Sequence, residues 1–375
     1  MWKRSWTVSI ALLICLIYVI GLLQDEQFIQ TYTWLPQRLS NDYDDPIFLV
    51  LNSTEAPLNS SLDFSNFTLY SPVFHSQPSN LSVCPTEPPN LVGPIRVWLD
   101  TPSFEKIHSL YPNLEDGGHG QPNDCLARHK VAVVVPYRDR ETHLRVFLHN
   151  LHAVLQKQQL DYAIVIVEQI ANQTFNRAKL MNVGFAEANK LYNWNCYVFH
   201  DVDLLPEDDR NVYSCPEQPR HHSVAVDKFA YKLPYGGIFG GVSAMTRQQY
   251  VKMNGFSNDY WGWGGEDIST RVSLAGYKIS RYPIKIARYK MIRHNHENES
   301  NPVNKCRYKL MRLTKLRYRH DGLSNLNYKV KSVDRLPTHT RILVDLLEKG
   351  VERGFEQRTS LQTVLIRHTY RFLFS

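Results

Sequence analysis

Several motifs are absent from this 375-residue chain, and each absence argues against a class of function. None of its six cysteines lies in a Cys-x-x-Cys pair, which argues against a zinc ribbon. The densely basic stretch from Lys305 to Arg319 lacks a recognisable nucleic-acid-binding module or aromatic stacking platform. No nucleic-acid partner is therefore predicted, despite the net charge of +7. Hydrophobic residues make up 43% of the chain, which is ample for a packed core.

Charge is absent from one long run near the amino end, the 18 residues from Trp6 to Leu23. Its length is close to what a helix needs to cross a bilayer. Lys3 and Arg4 precede the run and two acids follow it, so the positive-inside rule places residues 1–5 in the cytoplasm and the rest of the chain across the membrane. No small-x-small pattern closes the run, which disfavours the alternative of a cleavable signal peptide. Residues 6–23 are thus predicted to be a membrane anchor.

A glycosylated stem is predicted for residues 24–89. Basic residues are scarce there, and four of the six Asn-x-Ser/Thr sequons fall between residues 52 and 80, in a segment rich in Ser, Pro and Asn. The sequons begin at Asn52, Asn59, Asn66, Asn80, Asn172 and Asn298.

The five cysteines after the membrane run suit an oxidising compartment, with two disulfides and one free thiol. The sequence does not fix their connectivity. The pairs nearest along the chain, Cys84 with Cys125 and Cys196 with Cys215, are the expected ones, which would leave Cys306 free.

Extended apolar runs alternate with helical patterns in the middle of the chain. The order is a strand at Val131–Pro136, a helix at Glu141–Gln158, a strand at Ala163–Val167, a helix at Arg177–Leu191 and a strand at Cys196–His200. This order predicts an α/β domain, with a mostly parallel sheet and helices on both faces. We assign it residues 90–345, followed by a carboxyl-terminal extension at 346–375. Ligands of such sheets bind beyond the carboxyl ends of the strands.

Asp201 and Asp203 follow the third predicted strand. Residues two apart on an extended chain point to the same side, so both carboxylates would face one cavity. A hard divalent cation shared with a substrate diphosphate would offset their repulsion. The alternative is a simple cap or turn signal.

Aromatic, glycine and acidic residues are concentrated between Asn254 and Asp267. Trp261 and Trp263 offer flat apolar faces to a sugar ring, and the glycines between and after them allow the backbone to hinge. Glu266 and Asp267 then stand where a sugar hydroxyl would arrive. The segment predicts a substrate lid that ends in a catalytic carboxylate, the alternative being a Gly-rich turn with locally packed tryptophans.

Five segments, in their order and spacing, resemble the β1,4-galactosyltransferase family of inverting, Golgi-resident glycosyltransferases. They are Phe175-Asn-Arg-Ala-Lys179, Asp201-Val-Asp203, Phe239-Gly-Gly-Val-Ser243, Trp261-Gly-Trp-Gly-Gly-Glu-Asp267 and Met291-Ile-Arg-His294. The resemblance runs from about Cys84 to about Val344, which is essentially the whole predicted luminal domain.

The resemblance implies a Rossmann-like GT-A fold, a UDP-sugar donor, Mn²⁺ and a Golgi membrane location. Asp203, Met291 and His294 match the family's metal ligands, and Asp267 matches the catalytic base beside Glu266. The family's two disulfides match the pairs given above. Residues that match the family's nucleotide- and donor-binding positions are Pro136, Arg138, Arg140, Phe175, Arg177, Asp201, Lys228, Gly241 and Trp263.

One departure from the family bears on the donor sugar. The family's galactosyltransferases typically carry tyrosine before Phe-Gly-Gly, whereas this chain has Ile238, as the resembling invertebrate N-acetylgalactosaminyltransferases do. A smaller aliphatic side chain leaves room for an N-acetyl group. We therefore expect transfer of GalNAc from UDP-GalNAc to terminal GlcNAc in β1,4 linkage, on glycoproteins or glycolipids, with UDP-Gal as the alternative donor. A second departure, Ile268 in place of an Asp, is expected to alter acceptor contacts.

Two other functional classes can use similar residues. A metal-dependent lectin could use the same tryptophans without turnover. A glycoside hydrolase needs two carboxylates placed across a sugar, whereas Glu266 and Asp267 are neighbours in the chain. No accessory protein is indicated by the residues themselves.

Overall fold

The computed structural model describes residues 73–78, 80–266, 268–294 and 301–348. The predicted anchor at 6–23 lies outside them, as do most of the predicted stem and of the extension at 346–375. Within these ranges, no helix combines the length and apolar character needed to cross a membrane.

Seven α-helices and eleven β-strands form the described part of the chain. The helices are α1 (Phe104–Leu110), α2 (Glu141–Lys157), α3 (Arg177–Leu191), α4 (Arg247–Lys252), α5 (Ser269–Leu274), α6 (Arg307–Arg312) and α7 (Thr314–Arg317). The strands are β1 (Lys130–Tyr137), β2 (Asp161–Gln169), β3 (Cys196–His200), β4 (Leu204–Pro206), β5 (Arg220–His221), β6 (Ala225–Val226), β7 (Val242–Thr246), β8 (Ser280–Arg281), β9 (Arg288–Met291), β10 (Lys329–Leu336) and β11 (His339–Asp345).

Eight of the strands form one sheet in the order β10-β11-β2-β1-β3-β7-β5-β8. The four central strands β11, β2, β1 and β3 are parallel, as the alternation of strands and helices predicts. Antiparallel pairs lie outside them, where β10 pairs with β11 and β7 lies between β3 and β5. The sheet as a whole is therefore mixed, because β7 pairs antiparallel with β3 after the segment that contains β4, β5 and β6. A smaller sheet, β4-β9-β6, packs beside it.

Helices α2 and α3 cover opposite faces of the large sheet. Along β1, Val131, Val133 and Val135 pack in the cluster that contains α2, while Ala132 and Val134 pack in the cluster that contains α3. A strand buried on both faces has no polar alternation, and this explains the continuous apolar run in the sequence. The two-faced arrangement confirms the predicted α/β layering and directs the carboxyl ends of β1 and β3 to the same edge.

The two expected disulfides, Cys84–Cys125 and Cys196–Cys215, are both formed, and Cys306 is an exposed free cysteine. Phe74 lies inside the core and stacks on His119, with ring centroids 4.6 Å apart. Residues within the range predicted as stem thus contribute to the folded body. The reason is physical, since a buried aromatic ring and a disulfide both tie this segment down.

Buried histidines make the stability of this fold depend on pH. His152 on α2 contacts the hydroxyl of Tyr162 through Nδ1 at 2.8 Å and the carbonyl of Thr338 through Nε2 at 2.9 Å. Burial lowers the pKa of His152 to about 4, whereas an unfolded histidine titrates near 6.5. Between these pH values the unfolded chain binds a proton that the folded chain does not. Stability should therefore decrease as the pH falls from about 6.5 towards 4.

Replacing His152 with asparagine should flatten this pH dependence. The free energy of unfolding is measured by urea titration between pH 6 and 4.5. Its slope against pH should decrease by up to about 1.4 kcal/mol per pH unit. The matched control is His108→Gln, because His108 is exposed on α1. That variant should keep the original slope. An unchanged slope in His152→Asn would contradict the assignment of this proton to His152.

Candidate active site

A single cavity of about 1030 Å³ brings together the residues predicted from the sequence. Its lining includes every predicted site residue except Asp267, which lies outside the described residues. The lining residues predicted from sequence are Pro136, Arg138, Arg140, Phe175, Arg177, Asp201, Asp203, Lys228, Ile238, Gly241, Trp263, Glu266, Met291 and His294.

Residues that follow the carboxyl end of β1 form one wall of the cavity. Arg138 follows the strand and donates from Nη1 to the carbonyl oxygen of Gln173 at 2.6 Å. Its guanidinium also lies over the ring of Phe175, 5.1 Å from the centroid. Asp139 has a left-handed backbone with φ of 50°, so the chain turns sharply between Arg138 and Arg140. Two cations and an aromatic ring thus form an electropositive wall.

An ion pair joins this wall to the third strand. Arg177 is the first residue of α3, and its Nε donates to Oδ1 of Asp201 at 2.6 Å. The backbone nitrogen of Asp201 in turn donates to the carbonyl of Gly241 at 3.1 Å. Burial raises the pKa of Asp201 to about 6, and the charge of Arg177 opposes that rise. Asp201 is therefore held at its carboxylate by the Arg177 side chain and at its backbone by the carbonyl of Gly241.

A carboxylate, an imidazole and a thioether all line the cavity around Asp203. Oδ2 of Asp203 lies 3.2 Å from Nε2 of His294. Met291 ends β9 and pairs with Leu204 on β4, one residue beyond Asp203. Asp227 accepts a hydrogen bond from the backbone nitrogen of Met291 at 2.9 Å and so holds the strand end. Met291 and His294 reach the cavity from a strand end and the loop after it.

This mixed donor set fits a divalent cation of intermediate softness. Throughout the described ranges, no group of three or more His, Cys, Asp and Glu side chains is placed to hold a metal. A metal at this site would thus depend on the thioether of Met291 in addition to Asp203 and His294. The hydrogen-bond distance between Asp203 and His294 shows that two of the three donors already converge.

The glycine-rich segment contributes one tryptophan to the cavity rather than two. Trp263 is 52% exposed and lines the cavity. Trp261 instead packs against the hydrophobic core, with the ammonium of Lys179 5.7 Å from its ring centroid. Trp261 does not line the cavity, and its contact with a sugar stays a prediction. Its ring is used in packing.

The backbone of this segment explains its glycines. Gly262, Gly264 and Gly265 all have positive φ, of 81°, 105° and 84°. A Cβ on Gly262 would lie 2.2 Å from the carbonyl oxygen of Pro302, which also accepts a hydrogen bond from the nitrogen of Trp263. Side chains are thus disfavoured here by conformation and by contact with the facing segment.

Sequence reasoning missed one wall of the cavity. Arg307, Tyr308 and Met311 line it from α6, inside the basic stretch that carried no specific assignment. Their spacing of one and then three residues on a helix, with exposed apolar side chains among cations, is the signal that could have found them. Ile268 is not part of the site, because it is 1% exposed and packs in the core. The expectation that Ile268 alters acceptor contacts has no support in its position.

The chain is similar to known glycosyltransferases in family, sequence and fold. Residues 84–216 match the family model described as the N-terminal region of glycosyl transferase group 7, and residues 220–295 match that described as the N-terminal domain of galactosyltransferase. The chain is 47% identical over 278 residues to beta-1,4-galactosyltransferase 1 of Homo sapiens, covering 73% of this chain and 70% of the relative. It is 49% identical over 275 residues to beta-1,4-galactosyltransferase 3 of Bos taurus, covering 72% and 69%.

A solved structure also shares the fold. The catalytic domain of Drosophila beta1,4-galactosyltransferase 7 in complex with xylobiose has a TM-score of 0.51 and 31% identity. The match covers 60% of this chain and 97% of the solved one. A mutant of the same enzyme was solved with manganese, UDP-Gal and xylobiose and gives the same score and coverage. The mixed α/β architecture is therefore that of a glycosyltransferase.

Removal of the Arg177 guanidinium should cost both stability and nucleotide binding. Arg177→Met leaves a shielded carboxylate unpaired and should lower the free energy of unfolding by about 1.5–3 kcal/mol. Affinity for UDP, measured by calorimetry, should fall as well.

Arg145→Met is the matched control, because the Arg145–Glu141 pair is 3.5 Å long and more exposed, with side-chain exposures of 27% and 67% against 17% and 28% for Arg177 and Asp201. The control should change stability by at most about 1 kcal/mol. Equal losses in both variants would show that the pair with Asp201 has no special structural role.

Proposed function

Because this chain belongs to the β1,4-galactosyltransferase family, we propose that it transfers a sugar from UDP-galactose to the hydroxyl of an acceptor sugar in β1,4 linkage. At the coarser level it is a UDP-sugar-dependent β1,4-glycosyltransferase. The observation that carries the proposal is the convergence of the predicted nucleotide, metal and lid residues on one cavity. A hydrolase or a lectin would not require this combination.

The residues divide into three tasks. Arg138, Arg140 and the Arg177–Asp201 pair bind the nucleotide and orient its diphosphate. Trp263 supports a sugar ring, and Asp267 takes the proton from the acceptor hydroxyl, with Glu266 beside it. In-line displacement with inversion needs this base on one face of the donor sugar and charge stabilisation on the other.

Asp203, Met291 and His294 would hold the metal, and manganese is the ion in the Drosophila relative's complex. When bound, Mn²⁺ offsets the negative charge that develops on the departing UDP. The donor set itself supports this choice, because a thioether beside an imidazole and a carboxylate is softer than a site built for Mg²⁺.

The donor sugar has two candidates. The relatives are named galactosyltransferases, and the Drosophila structure contains UDP-Gal, so the comparisons favour galactose over the GalNAc expected from the sequence. GalNAc is the second candidate because Ile238 lines the cavity at the position where the family's galactosyltransferases carry tyrosine. Terminal GlcNAc, on a glycoprotein or a glycolipid, is the proposed acceptor for either donor.

The proposed location is the Golgi membrane, with a type II anchor at residues 6–23 and the catalytic domain in the lumen. The uncharged run with its flanking charges supports this, together with the two disulfides of the folded domain. Protease protection of the full chain in intact microsomes should leave the domain uncut until detergent is added. Digestion without detergent would place the domain on the cytoplasmic side.

A donor competition assay tests the function and separates the two sugars. The full chain in detergent, with a terminal-GlcNAc acceptor, should transfer sugar with Mn²⁺ and stop with chelator. Asp267→Asn should bind UDP but lose transfer by at least about a hundredfold. Ile238→Tyr should lower the ratio of GalNAc to Gal transfer by about tenfold or more, because the larger phenol crowds an N-acetyl group.

The matched control for the pocket is Ile284→Tyr, since Ile284 is exposed and does not line the cavity. It should leave the donor ratio unchanged. An unchanged ratio in Ile238→Tyr would remove the basis for the GalNAc candidate. Donor binding without turnover in the unmodified chain would instead favour the lectin.

A further inference from the structure

The turn that leads to Ile238 in the cavity wall has little packing of its own. In this turn the nitrogen of Ile238 donates to the carbonyl of Tyr235 at 3.2 Å. Gly236 and Gly237 form the centre of this turn. A methyl group added to either one would meet no atom within 4 Å. Phe239, directly after Ile238, is buried in the core and anchors one side of the wall. The glycine turn on the other side has no such side chain, so contacts to its backbone become important there.

Arg281 supplies such contacts from outside the cavity. Its Nη2 donates to the carbonyl oxygens of both Gly236 and Ile238, each at 2.8 Å. Arg281 belongs to β8, which pairs in parallel with β5 at the edge of the large sheet. The guanidinium is thus positioned by a β-strand, and it binds the carbonyl groups of Gly236 and Ile238.

His221 extends this contact to the other end of the wall. Nε of Arg281 lies 3.3 Å from Nδ1 of His221, and Nε2 of His221 lies 3.0 Å from the carbonyl oxygen of Gly240. Arginine can only donate, so Nδ1 accepts and the proton of the neutral ring is on Nε2. That proton is then donated to Gly240. Burial, reinforced by the charge of Arg281, lowers the pKa of His221 to about 3 and keeps the ring neutral.

Ser223 links the same loop to the aspartates. Its hydroxyl donates to the carbonyl of Gly240 at 3.2 Å and accepts from the nitrogen of Val242 at 2.9 Å. A Cβ on Gly241 would lie 2.5 Å from the Ser223 hydroxyl, and the Gly241 carbonyl accepts from the nitrogen of Asp201. Hydrogen bonds therefore connect the wall to the backbone of Asp201.

We propose that Arg281 is a positioning residue for donor-sugar selection, acting through His221 and through the two turn carbonyls to fix Ile238 against the donor. This inference rests on the proposed function and deepens it. The contacts use Nε and Nη2 at once, toward three acceptors. A lysine ammonium is a single point charge and cannot reproduce that fork.

The test compares Arg281→Gln and Arg281→Lys with the unmodified full chain. For UDP-Gal and UDP-GalNAc, kcat and KM are measured separately, and the affinity for UDP alone is measured by calorimetry with Mn²⁺. In Arg281→Gln the ratio of kcat/KM between the two donors should move towards one by about tenfold, whichever donor is preferred. Arg281→Lys should restore only part of the ratio. UDP affinity should stay within about twofold, because UDP lacks the sugar that meets this wall.

Arg220→Gln is the matched control. Arg220 lies on β5 beside His221, and its guanidinium contacts Ser214 and lies over the ring of Tyr282 at 4.4 Å, away from the loop. It should leave the donor ratio unchanged, and melting temperatures confirm that each variant is folded. A donor ratio that Arg281→Gln does not alter, or a fall in UDP affinity equal to the fall in transfer, would overturn the proposal.

A second measurement does not need turnover. The ¹⁵N spectrum of histidine-labelled chain, assigned with His221→Gln, should show His221 protonated on Nε2 alone, and Arg281→Gln should produce a mixture of tautomers. If the unmodified chain transfers neither sugar, the proposed function fails. The dissociation constants of the two UDP-sugars then replace the kinetic ratio, so the positioning role is still decided. An unchanged tautomer together with an unchanged affinity ratio would reject it.

Discussion

The ion pair between Arg177 and Asp201 is the contact around which the cavity is arranged. It joins the amino end of α3 to the segment that follows β3, so a helix packed on one face of the sheet is tied to the sheet's functional edge. The backbone N–H of Asp201 also donates to the carbonyl of Gly241, and Asp203 follows two residues later. The nucleotide, metal and donor-sugar parts of the site are therefore positioned relative to one shielded carboxylate.

The elements with a strong periodic signal could be predicted from sequence. Strand β3 and helix α3 begin and end where predicted, because α3 is long enough to show a helical pattern and β3 is a short, mostly apolar run that is buried throughout. Strands β5 and β8 contain two residues each and have no period to read. Their positions at the edge of the sheet cannot be predicted for that reason. The mixed character of the sheet arises instead from β7 and β10, because pairing direction depends on tertiary contacts and not on the residues of one strand.

Some site residues could likewise be predicted from local sequence patterns, and others could not. The aspartates and the Met-x-x-His pair are local patterns, so the sequence could identify them and the structure brings them together. Trp261 and Trp263 have the same chemistry and nearly the same position in the chain, and only tertiary packing sends one ring to the core and the other to the cavity. Arg281 is sixty residues from His221 in sequence, and only the pairing of β5 with β8 makes them neighbours. No local pattern could reveal that contact.

Glycines occur on two sides of the cavity, but the backbone requires glycine on only one of them. The two sides therefore take their shapes from different interactions. Gly262, Gly264 and Gly265 need left-handed backbone, so the form of the Trp263 segment is encoded in its own conformation. Gly236 and Gly237 have neither positive φ nor a crowding neighbour. Nothing local compels glycine at these two positions, and the turn they form takes its place from the guanidinium that binds its carbonyls. The identity of Ile238 sets the size of the donor wall, whereas its position depends on Arg281 outside the cavity and on the buried Phe239 beside it. We therefore expect relatives with the same residue at this position to differ in donor choice when the residue at the Arg281 position differs.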